Sequence, residues 1–226
     1  MSMPFYVAPE QMMKDRADYA RKGIARGRAM VALQFVDGIL LVAENPSNTL
    51  RKISEIYDRI AFAGVGKYNE FDQLRRFGVR NADVKGYAYS RDDVEARSLA
   101  NDYAQILGQT FTHEVKPMEV EILVAEVGAT PADDQMFHIL YDGTLVDETG
   151  TSVLGGDAEA IAERLGQSWS PDHTIGQALT VAVAALAGPD RNLTADDIEV
   201  AVLSRLNGRR CFARLDDARV TELLGG

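Results

Sequence analysis

Cysteine is nearly absent from this chain of 226 residues, Cys211 being the only one. No intrachain disulfide can form, no zinc finger can be assembled from thiolates, and a reducing, cytoplasmic setting is expected. Histidine is almost as scarce. Among His113, His138 and His173, the pair His113-Glu114 lacks the second histidine that a zincin helix requires, so metal binding is not expected. Long hydrophobic runs are missing too. There is no signal-like apolar stretch at the start and nothing near the roughly 18 to 20 apolar residues that span a bilayer, which excludes a membrane helix. Positive charge is in deficit: a formal net charge of -10 argues against general affinity for nucleic acid. The local exception is residues 14–28, where Lys14, Arg16, Arg21, Lys22, Arg26 and Arg28 face only Asp15 and Asp18. That stretch is either a solvated helix face or a surface for an acidic partner.

Catalytic motifs are missing in the same way. Gly64-Val65-Gly66-Lys67 suggests a phosphate loop, but Ala61 stands where its first glycine belongs and Tyr68 where Ser or Thr should bind a metal. There is no G-x-S-x-G elbow, and Cys211, beside Arg210 in an expected strand, reads as a small buried thiol. No cofactor is implied.

What is present is a regular succession of elements. Pro9-Glu10 suits a helix start, and the helix is expected to run to Lys22 and stop at Gly23. Apolar runs at 29–35 and 39–43 flank Asp37-Gly38, a hairpin signal of the primed-turn kind. A second strand pair is expected at 51–56 and 60–65, then helices at 67–77 and 93–112, the latter capped by Asp92 and carrying a Leu99, Tyr103, Ile106, Leu107, Thr110 stripe. Strands follow at 120–127 and 136–141 with a turn at Asp142-Gly143, then helices at 158–167 and 175–186. A third hairpin, 198–205 and 210–215, turns at Asn207-Gly208, expected as type I′, and Asp216 opens a last helix. Hairpins segregated from helices predict an α+β fold: one domain over 1–226, two stacked antiparallel sheets and a helix layer on each side, a four-layer αββα sandwich.

The stretches PEQMMKDRADYARKGIARGRAMVAL, AENPSNTLRKISEIYDR, KYNEFDQLRRFGVRNADVKGYAY and KPMEVEILVAEV resemble the α subunits of actinobacterial proteasome core particles, which have the N-terminal-nucleophile hydrolase fold. In catalytic β subunits of that family the first hairpin begins with threonine at the place of Arg28, has aspartate at the place of Glu44 and lysine at the place of Lys52. Here only the lysine is kept. N-terminal-nucleophile chemistry needs Thr, Ser or Cys with a free α-amine, and neither Gly27 nor Ala29 supplies one. Ser2 lies far ahead of the strand.

The resemblance implies a noncatalytic subunit in homo-heptameric outer rings that cap the β subunits, gate the entry of unfolded substrates, and dock a hexameric ATPase through its C-terminal tails. It assigns the gate to residues 1–8, with Met3, Pro4, Phe5, Tyr6, Val7 and Ala8 carrying it, and tail docking to Lys52, with Gly27 and Lys67 at neighbouring pocket positions. Two departures accompany it. The Tyr-Asp-Arg triplet of archaeal and eukaryotic α subunits is replaced by Phe5-Tyr6-Val7, and Gly225-Gly226 stands where some relatives carry a longer acidic tail. The alternatives are a hydrolase of this fold matured by cleavage, and a standalone adaptor using its basic helix.

Overall fold

Strands whose consecutive residues are nearly all apolar are buried on both faces, and the first hairpin, apart from Gln34 and Glu44, is built this way. In the computed structural model, which describes residues 8–47 and 49–225, β1 (Met30–Phe35) sends Met30 and Ala32 to one side and Val31, Leu33 and Phe35 to the other, all buried. Its partner β2 (Gly38–Glu44) divides likewise, Ile39 and Leu41 against Leu40 and Val42. The remaining strands are β3 (Ile53–Tyr57), β4 (Ile60–Gly66), β5 (Val120–Glu126), β6 (Gln135–Ile139), β7 (Leu145–Glu148), β8 (Thr151–Leu154), β9 (Ile198–Ser204) and β10 (Phe212–Leu215). They form two five-stranded sheets, β10-β9-β2-β1-β8 and β3-β4-β5-β6-β7. Every pairing is antiparallel, as the hairpins predict.

The helices are α1 (Pro9–Ala25), α2 (Tyr68–Ala88), α3 (Ala96–His113), α4 (Ala158–Ser168), α5 (Ile175–Ala187) and α6 (Asp217–Leu224). Helices α2 and α3 cover the second sheet through Leu74, Leu99, Tyr103 and Leu107. Helices α4, α5 and α6 cover the first through Leu165, Leu179, Val183 and Val220. A third core lies between the sheets, and α1 contributes Ala20 and Ile24 to it. The chain is thus the expected αββα sandwich, with α1 inserted at one open end.

Several boundaries differ from expectation for packing reasons. Helix α1 runs through Gly23 to Ala25, because a side chain at Gly23 would overlap the Glu119 carboxylate. Helix α2 continues past Phe77 to Ala88, because Gly78 lies against the Tyr103 hydroxyl. Both glycines permit close approach and neither ends a helix. Asp92 does not cap α3: it lies in a 3-10 turn, Arg91–Asp93, and the Glu126 carboxylate of β5 accepts from Ala96 N at 2.8 Å. The first turn is Val36-Asp37, with Gly38 opening β2 at φ +155° against Leu203. No described non-glycine residue has positive φ, so neither this turn nor the one at Asn207-Gly208 is type I′. The latter is a 3-10 turn, Arg205–Asn207. Strand β8 had no distinct sequence signal.

Candidate functional site

The end of the sandwich that receives α1 is also where β1 begins. Regular pairing starts at Met30, and Glu44 N donates to Ala29 O at 3.0 Å, carrying the ladder back to the foot of Arg28. Arg28 Nη1 donates to Glu44 Oε1 at 2.8 Å. Arg191, from the loop after α5, donates to both Glu44 oxygens at 3.0 and 3.1 Å and to Leu186 O at 2.7 Å. Glu44 is buried, and two guanidinium groups offset its desolvation.

Lys52 approaches from the foot of β3. Its ammonium donates to Arg28 O at 2.7 Å, which occupies one of three N-H donors; the other two have no partner among the described residues. Burial lowers the Lys52 pKa to about 8, and the Arg28 charge pushes the same way against the opposing pull of Glu44 and Glu199. The lysine backbone is held just as firmly. Buried Glu199 accepts from Lys52 N at 2.8 Å, Ile53 N at 3.2 Å and Asn45 Nδ2 at 2.8 Å, and pairs with Arg214. Arg214 in turn donates to Ile53 O at 2.7 Å.

Gly27 stands between Lys52 and the start of α2. A Cβ on it would lie 3.1 Å from Val65 Cγ1 and 3.3 Å from Gly66 N, so α1 and β1 join by passing close over the end of β4. Lys67 follows Gly66. Its backbone N-H donates to Glu119 O at 2.9 Å, while its exposed ammonium lies 3.6 Å from Glu70. Lys52, Gly27 and Lys67 therefore gather around one chain crossing, although Lys67 already has an acidic neighbour. Of the gate positions, Ala8 is the exposed residue that precedes α1; Met3, Pro4, Phe5, Tyr6 and Val7 lie outside the described residues.

The basic 14–28 segment is partly engaged within the chain. Arg16 donates to Phe111 O at 2.7 Å and Arg21 lies over the Tyr141 ring at 5.6 Å, while Lys14, Lys22 and Arg26 are exposed. Cys211 is buried, as expected, and burial raises its pKa. Among the described residues no group of acidic, histidine or cysteine side chains is arranged to hold a metal, and no helix is long and apolar enough to cross a membrane.

Sequence reasoning missed Glu199, Arg191 and Arg214. Glu199 had a usable signal, an acid inside the apolar run IEVAVL, where a buried carboxylate must find several donors. Arg191 had none, since Glu44 lies 147 residues away along the chain, whereas Arg214 stands across the expected 198–205 and 210–215 hairpin from Glu199, 15 residues earlier.

The family model described as proteasome subunit matches residues 24–203. A protein of Acidimicrobium ferrooxidans named proteasome subunit alpha is 62% identical over 225 residues, covering 100% of this chain and 97% of that protein. Proteins of the same name from Sanguibacter keddieii and Kineococcus radiotolerans are 56% and 55% identical, covering 99% and 100% of this chain and 90% and 99% of their own lengths.

Proposed function

Because this chain belongs to the proteasome subunit family, we propose that it is a noncatalytic α subunit of the core particle, assembled in heptameric outer rings on the catalytic β rings in the cytoplasm. The rings admit unfolded substrates through an axial gate formed by residues 1–8 and receive the C-terminal tails of a hexameric ATPase at Lys52, beside Gly27 and Lys67. The chain acts as one domain over 1–226.

One observation carries this reading. At the place where N-terminal-nucleophile chemistry needs a hydroxyl or thiol and a free amine, Arg28 is bound within the chain, its guanidinium on Glu44 and its carbonyl on Lys52. Helix α1 supports it by placing Ala20 and Ile24 in the core between the sheets. The lysine that would serve a nucleophile has two donors without a partner among the described residues, suited to an incoming carboxylate.

The experiment is to purify the full chain alone and with a β partner, measure peptide hydrolysis and intact mass, and image the particles. The expected result is no hydrolysis by the chain alone, a mass without internal cleavage, and sevenfold particles. An active monomer, or a mature chain beginning at Thr or Ser ahead of a strand, would overturn it in favour of a processed hydrolase.

A further inference from the structure

Beside the β1 foot, but turned toward α4 and α5, lies a cavity of about 360 Å³ lined by Arg28, Glu44, Asp157, Arg164, Gly188 and Arg191 among others. That volume falls within the range of small-ligand sites. Two of its arginines have structural work: Arg191 binds Glu44 and the carbonyls at the end of α5, and Arg164 Nε donates to Ala185 O at 2.9 Å. Their remaining donors are not equally used. Both terminal amino groups of Arg164 lack a hydrogen-bond partner among the described residues, and Arg28 uses only Nη1, on Glu44. The Arg164 guanidinium lies over Gly188, with Nη2 and Nη1 3.7 and 3.9 Å from where a Cβ would stand. Three arginines against Glu44 and Asp157 leave the lining side chains one positive charge in excess, in a chain whose net charge is -10.

We infer that this cavity is a binding site for a small oxyanion, a phosphate or carboxylate group, held by the terminal amino groups of Arg164 and the free edge of Arg28. A planar guanidinium with two adjacent unpaired N-H groups matches the paired oxygens of either anion. Glu44 is turned to Arg28 and Arg191 and makes no hydrogen bond or ion pair with Arg164. Asp157 opposes the ligand by charge, which limits the affinity and gives a second handle for testing it.

The test is thermal denaturation of the full-length chain titrated with inorganic phosphate and, separately, with succinate, at constant ionic strength set by sodium chloride. The expected result is a saturable rise in Tm. Loss of two charge-assisted hydrogen bonds in Arg164→Gln should weaken binding about tenfold or more. Removing the opposing charge in Asp157→Asn should tighten it about threefold. A response to phosphate alone identifies a phosphate ligand, and one to succinate alone a carboxylate such as a peptide terminus; a response to both fits their shared chemistry. No saturable response to either anion, or the same response in both variants as in the parent chain, overturns the site. Should Arg164→Gln fail to fold, Asp157→Asn decides by itself, since unchanged affinity refutes the assigned position.

Discussion

Replacing Lys52 tests the docking reading most directly. Its ammonium keeps two donors beyond the bond to Arg28 O, and a hydrogen bond to a charged group at a half-buried site is worth about 1.5 to 3 kcal/mol. Lys52→Ala should therefore weaken each activator tail by about tenfold to a hundredfold. Several tails engage one ring, so ATP-dependent degradation should be lost more completely than one tail's affinity suggests. The lowered pKa adds a second signature. A tail carboxylate needs the protonated lysine, and with a pKa of about 8 affinity should fall about tenfold between pH 7 and pH 9. Lys52→Arg keeps its charge throughout and should flatten that dependence. The assay is fluorescence anisotropy with a labelled tail peptide on assembled rings, alongside degradation of a tagged substrate. Tail affinity that is unchanged in Lys52→Ala, or that falls equally with pH in Lys52→Arg, would refute the assignment.

Deleting residues 1–8 should raise basal peptide hydrolysis by the assembled core several-fold without changing hydrolysis by free β subunits; equal rates would remove the gate from this segment. His138 lies 3.5 Å from Glu121 and 3.5 Å from Glu148, and Glu148 also accepts from Ser152 on the other sheet. Burial works against its charge, but the two carboxylates outweigh it and raise the pKa to about 9. Its contribution, on the order of 3 kcal/mol, is fully present below its ordinary pKa near 6.5 and is lost as pH rises through 9. Urea unfolding at pH 6 and pH 10 should show that loss in the parent chain, with a smaller loss in His138→Gln. Ile24→Ala empties a buried position between the sheets and should cost about 2 to 4 kcal/mol in the same measurement, whereas a cost near zero would mean that α1 does not close that end of the core.

Most elements were legible because their signals are local. The double-faced runs of β1 and β2, the Leu99-Tyr103-Leu107 stripe and the Asp216 cap, which accepts from Arg219 N at 2.8 Å, each depend on near neighbours in sequence. Departures arose where a distant residue changed what a local signal meant. Gly23 and Gly78 look like stops, yet Glu119 and Tyr103 occupy the space their side chains would need. Asp92 looks like a cap, yet Glu126 takes that role at α3. Lys52 was identified by resemblance, while the groups that set its chemistry, the Arg28 carbonyl and the Glu199 hub, come from chain segments 24 and 147 residues away.

Sequence alone determined the order of helices and hairpins, the two stacked sheets, and the arginine at the foot of β1, because hydrophobic periodicity and residue identity are written along the chain. Tertiary structure decided that α1 enters the core between the sheets, that Glu44 is shared by Arg28 and Arg191, and that Lys52, at a lowered pKa, has two donors without a partner among the described residues. Burial, charge and hydrogen-bond satisfaction belong to groups brought together only by folding, and no spacing along the chain encodes them.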